Sequence, residues 1–231
     1  MGKRGGTKHM KCVSAPKAIK LRRKENTWIQ RPLPGPHVIS GCAPISYILK
    51  TIGVAQTMKE VKKILSSRSA YIDGKVVAEP KFPVGLMDMV TIGDKSWRIT
   101  FSKKGVLIAT PSKENKSKIC RIEGKTRAQK GKIQFSLHDG KTIMSKDGKE
   151  GKVGDCLLIS LPEAKILKKY PLETKMNCFI SGGKHVGKKA VIEEIIPGTA
   201  TRLAQVKCNI DGILSTTYKG YIFPIGDSKL E

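Results

Sequence analysis

The feature that most constrains the fold is a succession of short β-branched segments between residues 96 and 175. They read WRITF at 97–101, VLIAT at 106–110, KICRIEG at 118–124, KIQFSL at 132–137, DCLLISL at 155–161 and a last segment at 164–170. Turns rich in lysine, glycine and serine separate them. Short apolar segments at this spacing are typical of an all-β domain, either a barrel or a sandwich.

The preceding region, residues 42–95, has helical periodicity. Apolar side chains recur at intervals of three and four residues, as on one face of a helix: Ile45, Ile48, Leu49 and Ile52. Pro44 suits the first turn of this helix, and Gly53 suits its C-terminal end. The pattern predicts a short amphipathic helix.

A second helix and a small sheet are predicted to follow. Thr57 with Glu60 forms a capping-box pattern. Val61, Ile64 and Leu65 face the core, and Lys59, Lys62 and Lys63 lie towards the other side. Tyr71–Val77 (YIDGKVV) predicts a hairpin with an Asp-Gly turn, and Val84–Ile92 predicts a closing strand. The region therefore reads as a compact basic module.

Charge indicates the class of partner. The net charge is +25 and the pI is about 9.9, which favours a polyanion such as nucleic acid or an anionic membrane. No apolar run approaches the length of a membrane span. Residues 1–40 hold ten Lys or Arg against one acidic residue, and RPLPGPH at 31–37 excludes a regular helix there. We expect an extended basic arm that becomes ordered along a polyanion; a disordered solubilising tail is the alternative.

The stretch GGKHVGKK at 182–189 nearly matches the phosphate-binding pattern G-x-x-x-x-G-K-[ST]. Lys189 stands in place of the hydroxyl that holds magnesium. A phosphate loop also needs a following helix, whereas KKAVIEEIIPG is β-branched and ends at Pro197-Gly198. We therefore predict a lysine-rich loop between strands, suited to a phosphate polymer or, alternatively, a surface hairpin without a partner.

Cysteine and histidine spacing indicates neither a metal site nor a disulfide framework. The six cysteines form no C-x2-C or C-x4-C pair, and the four histidines are scattered. His138 stands beside Asp139, but no nucleophile accompanies them, so HDG at 138–140 is interpreted as a tight turn.

Two stretches resemble known RNA-binding modules. Residues 42–95 resemble the αL RNA-binding domain found in a bacterial ribosomal protein, in pseudouridine synthases and in some tRNA synthetases. In that family the basic second helix faces RNA, which here implies Lys59, Lys62, Lys63 and Arg68, with Lys75 on the turn. Residues 176 to about 208 resemble the KOW motif of ribosomal proteins and transcription elongation factors.

Taken in order, the motifs resemble one family, the archaeal and eukaryotic protein four of the small ribosomal subunit. The matching stretches are KHMKCVSAPK at 8–17, RPLPGPH at 31–37, EVKKI at 60–64, YIDGKV at 71–76, PVGLMDMVTI at 83–92, LHDGKTI at 137–143, SGGKHVGKKAVI at 181–192 and YIFPIG at 221–226. The resemblance implies a non-catalytic structural role on the ribosome in the cytoplasm, with nucleolar assembly if the source is eukaryotic.

The expected fold class is α+β and multi-module. Its parts are a basic extended N-terminal arm at 1–41, an αL-type domain at 42–95, a central all-β domain at 96–175, and a C-terminal KOW domain (an SH3-like barrel) with a short tail at 176–231. The expected partners are small-subunit ribosomal RNA and neighbouring ribosomal proteins, with no membrane, small-molecule substrate, cofactor or metal.

Besides the αL residues, we expect RNA contacts from the arm and from the loop at 181–189. The candidates are Lys3, Arg4, Lys8, Lys11, Lys17, Arg22, Arg23, Arg31, Lys184, His185, Lys188 and Lys189.

Other functional classes stay open on the sequence alone. An RNA-modifying enzyme or accessory protein can carry an αL domain, but the chain lacks room for a separate catalytic domain. A transcription elongation factor can carry a KOW motif. A sequence-general DNA-binding protein would share the charge, and nuclease sensitivity distinguishes it.

Overall fold

The computed structural model describes residues 9–112, 116–128, 131–145 and 151–226. These residues form two compact units: the first holds 9–100 and 106–111, and the second holds 101–105 and the described residues from 112 onward. Within the described ranges the chain is mostly β, with several sheets and two α-helices. Neither helix is long and apolar enough to cross a membrane.

The first helix, α1 (Ile45–Ile52), forms where the apolar periodicity predicts it. Ile45, Ile48 and Leu49 are buried, and Ile52 is half-buried. Gly53 ends the helix in the left-handed region at φ 85°, where it donates its N–H to the Lys50 carbonyl at 3.1 Å. This backbone conformation favours glycine, so the predicted stop is confirmed.

The second helix, α2 (Met58–Ser66), begins with the predicted capping box. The Thr57 hydroxyl accepts the Glu60 N–H at 3.3 Å, and the Glu60 carboxylate accepts the Gln56 N–H at 2.9 Å. These bonds satisfy backbone donors that a helix N-terminus otherwise leaves unpaired. Val61 and Leu65 are buried, so the helix packs by the predicted face.

The strands of the first unit are β1 (Met10–Lys11), β2 (Trp28–Ile29), β3 (Ala43–Pro44), β4 (Ala70–Ile72), β5 (Lys75–Val76), β6 (Pro83–Val84), β7 (Met89–Ile92), β8 (Lys95–Phe101) and β9 (Leu107–Pro111). β1 pairs with β2, and β3 pairs with β6. The remaining five form one sheet in the order β5-β4-β7-β8-β9. The β4–β5 hairpin has its predicted Asp-Gly turn, with φ 50° at Asp73 and 78° at Gly74.

The closing strand predicted at 84–92 is interrupted. β6 ends at Val84 and β7 begins at Met89. Between them, the Asp88 carboxylate accepts the Gly85 N–H at 2.8 Å, and Met87 has φ 66°. The chain bends here because a side-chain oxygen takes a backbone donor that a continuous strand would pair with its neighbour.

Residues 9–41 pack against the rest of the first unit. Ala18 and Ile19 are buried, and Ala18 accepts the Leu107 N–H at 2.8 Å. The RPLPGPH stretch contains no regular helix, as predicted, and its His37 ring lies over Gly85 with Nε2 2.8 Å from the Asp88 carboxylate. The expectation that a polyanion orders the arm is therefore wrong for these residues, because apolar burial and these bonds order them.

The second unit begins with a five-stranded antiparallel sheet in the order β12-β11-β10-β13-β14. Its strands are β10 (Ser117–Arg127), β11 (Ile133–Leu137), β12 (Thr142–Ser145), β13 (Cys156–Ser160) and β14 (Ile166–Tyr170). Four of them match predicted segments, whereas β12 was not predicted. The predicted segments at 97–101 and 106–110 correspond to β8 and β9, which pair in the sheet of the first unit.

A second five-stranded antiparallel sheet completes this unit, in the order β18-β17-β16-β15-β19. Its strands are β15 (Asn177–Ile180), β16 (Lys189–Ile196), β17 (Gln205–Ile210), β18 (Ile213–Tyr218) and β19 (Ile222–Pro224). Cys178, Ile192, Val206, Cys208 and Ile222 are among its buried core residues. The four-domain division of the chain stays a prediction.

The capping box of α2 can be tested by Thr57→Ala. Removing the hydroxyl leaves the Glu60 N–H without its acceptor, and we expect the free energy of unfolding to fall by about 1 kcal/mol. Urea denaturation measures it. The control is Thr51→Ala, because the Thr51 hydroxyl bonds only the Tyr47 carbonyl one turn back; its effect should stay within about 0.5 kcal/mol. Equal effects of the two substitutions would contradict the capping role.

Candidate nucleic-acid interface

The outer face of α2 presents three lysines to solvent. Lys59, Lys62 and Lys63 are all exposed, and their spacing of three and four residues places them on neighbouring positions of one helix face. Arg68, after the helix, and Lys75, on the β4–β5 hairpin, are also exposed. These five side chains can therefore meet a polyanion from solvent.

The one acid on α2 does not cancel this charge by pairing across the lysine face. The Gln56 N–H, together with the Thr57 hydroxyl, lowers the pKa of the Glu60 carboxyl. The carboxylate is thus held at the helix N-terminus, where negative charge is favoured by the helix dipole.

The basic residues of the arm differ in how available they are. Lys11 and Lys17 are exposed. Arg22 is exposed but lies 2.7 Å from the Glu25 carboxylate. Arg23 and Arg31 are both half-buried. The Arg23 Nη1 donates to the Val13 carbonyl at 2.7 Å. The other three arm candidates lie outside the described residues: Lys3, Arg4 and Lys8.

The loop between β15 and β16 carries a second set of cations. Lys184 and Lys189 are exposed, whereas His185 and Lys188 are half-buried. Lys188 Nζ lies 3.3 Å from the Asp211 carboxylate. The loop closes through the Gly187 N–H, which donates to the Ile180 carbonyl at 2.8 Å.

Gly187 in this loop is required by its backbone and by its surroundings. Its φ is 78°, and a Cβ atom would lie 2.3 Å from the Ser102 carbonyl oxygen. Strand β16 begins at Lys189, two residues later, where a phosphate-binding loop would begin a helix. The strand predicted to follow this loop is therefore confirmed.

Sequence reasoning missed two residues that the structure makes prominent. Trp28 is 58% exposed among basic side chains. Arg121, on β10, lies with its guanidinium 4.6 Å from the Phe223 ring centroid, and it also bonds Glu123 at 2.8 Å and the Gly220 carbonyl. The exposed tryptophan had a local signal, a lone indole within a basic stretch. The contacts of Arg121 with Phe223 and Gly220 had none, because these partners lie about a hundred residues away along the chain.

The structure also brings together residues that the spacing analysis treated as separate. Cys120, His138 and Asp139 place their potential metal-ligand atoms within 4.8 Å of one another. The Lys118 ammonium, however, lies 2.9 Å from the Asp139 carboxylate, and the Arg121 N–H donates to His138 Nδ1 at 3.2 Å. The Asp139 carboxylate therefore has a buried cation as its partner, and His138 Nδ1 accepts a backbone N–H.

This Lys118–Asp139 pair is almost fully buried, with side chains 0% and 1% exposed. Burial acts to raise the pKa of the Asp139 carboxyl, but the Lys118 ammonium and neighbouring charges outweigh it and lower the pKa to about 2. The pair thus stays ionised inside the β10–β14 sheet. Residues 138–140 form the predicted turn.

Burial makes two of the thiols, Cys42 and Cys156, poor nucleophiles. All six cysteines are buried and free. Burial raises the pKa of Cys42 to about 11, and burial raises that of Cys156 further. A nucleophilic cysteine needs a lowered pKa.

Fold and charge together define a class: a basic, mostly β protein of several small sheets that presents lysines and arginines to solvent. Models of two protein families match the chain. The one described as Ribosomal family S4e matches residues 93–166, and the one described as RS4NT (NUC023) domain matches residues 4–40.

Relatives match along nearly the whole chain. Small ribosomal subunit protein eS4 of Methanocaldococcus jannaschii is 38% identical over 99% of this chain and 98% of its own length. The protein of the same name from Staphylothermus marinus is 37% identical over 98% and 95%. The crystal structure of 30S ribosomal protein S4e from Thermoplasma acidophilum superposes with a TM-score of 0.71 at 28% identity, covering 81% of this chain and 96% of that one. The chain belongs to the small ribosomal subunit protein eS4 family.

The buried ion pair gives a stability prediction. Asp139→Asn leaves the Lys118 ammonium buried without a counter-charge, and we expect the free energy of unfolding at neutral pH to fall by about 3–5 kcal/mol. Urea denaturation followed by circular dichroism measures it. Lys118→Met combined with Asp139→Asn should recover most of this loss, because no lone charge is then buried. A double variant as unstable as the single one would contradict the pairing.

The same pair predicts that the free energy of unfolding decreases at acidic pH. The pKa of Asp139 is lowered on folding, so its contribution is present above its unfolded pKa of about 4 and is lost as the pH falls through about 2. We expect this contribution to be about 2 kcal/mol. In Asp139→Asn, urea midpoints between pH 4 and 2 should decline less steeply than in the natural protein. Parallel declines would contradict the assignment.

Proposed function

We propose that this chain is a structural component of the small ribosomal subunit that binds ribosomal RNA and supports subunit assembly and translation. The observation that carries the proposal is the match to eS4 proteins over 99% of the chain. The net charge of +25 supplies the physical means of binding a phosphate polymer. The protein acts by binding and is not an enzyme.

The α2 face is the first proposed contact. Lysines at this spacing can neutralise successive phosphates along one strand of a folded RNA, and the released counterions drive the association. Lys59, Lys62 and Lys63 are exposed and rigidly held by a capped helix. The resemblance to an αL module supports this assignment, and Arg68 with Lys75 would extend the surface.

The loop at 181–189 is the second proposed contact. Its exposed Lys184 lies between strands β15 and β16 of an antiparallel sheet, and its exposed Lys189 is the first residue of β16. The KOW resemblance of residues 176–208 supports a role in binding RNA. Because α2 and this loop belong to different units, each can hold its own segment of RNA, which is the action expected of an assembly protein.

The protein would reside on ribosomes in the cytoplasm, beside other small-subunit proteins. A nucleolar assembly step applies only to a eukaryotic cell and stays a prediction. An elongation factor or an RNA-modification accessory protein remains the alternative use of the same modules. Sedimentation of lysate through a gradient at low magnesium distinguishes these functions. A ribosomal protein moves with the small subunit and is freed by ribonuclease, whereas an elongation factor or accessory protein stays near the top of the gradient.

The α2 contact can be tested by changing Lys59, Lys62 and Lys63 together to Glu. The change lowers the net charge from +25 to +19 and places carboxylates against phosphates, so we expect loss of incorporation into the small subunit. Immunoblotting of gradient fractions for a tagged copy measures incorporation. The matched control changes Lys95, Lys165 and Lys168 to Glu; these lysines are exposed and undergo the same charge change outside the proposed surface.

The control protein should sediment with the subunit. Normal incorporation of the α2 variant would overturn the assignment of this helix face. Equal loss in both variants would mean that total charge, rather than the α2 face, governs binding.

A further inference from the structure

We propose that Trp28 and the basic side chains around it form a binding site for an unpaired RNA nucleotide, with the base stacked on the indole and the phosphates on Lys11 and Arg31. The inference rests on the proposed function and adds to it a contact with a base. It is carried by a groove of about 510 Å³ in the first unit. The groove is lined by His9, Met10, Lys11, Ser14, Trp28, Arg31 and Ile39.

The exposure of Trp28 is the first step of the argument. Its side chain is 58% exposed, although an indole gains more than almost any side chain by leaving water. The other tryptophan, Trp97, is half-buried in β8. A largely exposed indole in a groove leaves a large apolar ring face available to another molecule.

The position of Trp28 is fixed, so its ring stays at the groove and does not fold back onto the protein surface. Trp28 lies on β2 directly opposite Lys11 on β1. The His9 ring centroid lies 5.7 Å from that of Trp28 at an angle of 58°, and Lys11 Nζ lies 5.9 Å from the ring centroid. The backbone pairing and these two contacts hold the indole at the groove.

The charge of the lining selects the class of occupant. Lys11 and Arg31 are cationic, and among the described residues no Asp or Glu lines the groove. An apolar peptide would bring no negative charge to these cations. A nucleotide offers both a flat ring for the indole and phosphate oxygens for the cations, the combination used by proteins that bind unpaired nucleic acid.

A nucleotide within a regular helix does not fit this site. Bases in double-stranded RNA are stacked on one another, so their faces are covered by the neighbouring bases. The occupant is therefore a base from a bulge, loop or single-stranded end. The α2 lysines, which have no aromatic neighbour on their helix, bind phosphates alone; the Trp28 groove would add the preference for unpaired nucleotides.

The test uses the full chain carrying Trp97→Phe, which leaves Trp28 as the single tryptophan. The probes are an oligoadenylate of about ten nucleotides, a blunt-ended RNA duplex with strands of the same length, and inorganic polyphosphate. A base stacked on the indole quenches its fluorescence, whereas polyphosphate carries charge without bases. We expect quenching by the single strand, and binding without comparable quenching by the duplex and by polyphosphate.

Substitutions separate stacking from charge. Trp28→Ala should weaken the affinity for oligoadenylate about 5- to 100-fold without altering the salt dependence, whereas Trp28→Phe should keep most of it. Lys11→Ala should reduce the slope of log affinity against log salt by about 0.7. The matched control is Leu167→Ala, because Leu167 is 59% exposed, like Trp28, and lies on β14 outside the groove; it should have no effect.

Each outcome decides between the two proposals. Binding of oligoadenylate with no quenching, and with no loss in Trp28→Ala, overturns the stacking site and leaves the proposed function standing. Absence of binding to any RNA overturns both. If oligoadenylate quenches Trp28 only after residues 1–8 are deleted, the chain's own N-terminal segment occupies the groove, and the stacking site is overturned for the full chain.

Discussion

Buried carboxylates hold the turns of both units, and the rest of the structure depends on them. Asp73, Asp88, Asp139 and Asp155 are each at most 5% exposed. A buried carboxylate is costly unless hydrogen bonds and cations surround it, and then it fixes the local backbone firmly. Each accepts a backbone N–H: Met89 for Asp73, Gly85 for Asp88, Lys141 for Asp139, and Lys152 and Leu172 for Asp155.

This arrangement explains how so basic a chain remains folded and still binds a polyanion. The chain has 19 acidic residues and 44 basic ones. Four of the acidic side chains are buried, where they accept backbone N–H groups or pair with lysines. The surface therefore keeps a large positive excess, whose self-repulsion opposes compactness until a partner neutralises it. The backbone that carries the α2 lysines is held by the Thr57 cap, and the backbone of the loop at 181–189 is held by the bond from the Gly187 N–H to the Ile180 carbonyl.

Features that depend on a few neighbouring residues were predicted well from the sequence. Most features that the sequence did not predict depend on contacts between residues far apart in the chain. The capping box at Thr57, the stop at Gly53 and the Asp73-Gly74 turn each depend on a few neighbouring residues, and all are observed. β12 escaped prediction because its four residues have too short a pattern to stand out. The cluster of Cys120 with His138 and Asp139, and the packing of residues 9–41, depend on partners far along the chain. Of the candidate site, the exposure of the α2 lysines followed from helical periodicity, whereas the presentation of Trp28 depends on the pairing of β1 with β2.

The docking of the N-terminal stretch has a consequence for the order of events during synthesis. Ala18 is made early, yet the Leu107 N–H that it bonds emerges much later. At roughly 5–20 residues per second, the stretch waits about 4–18 s for this partner. During that interval the stretch carries its basic side chains without the bond that later holds Ala18 to strand β9, at the edge of the sheet.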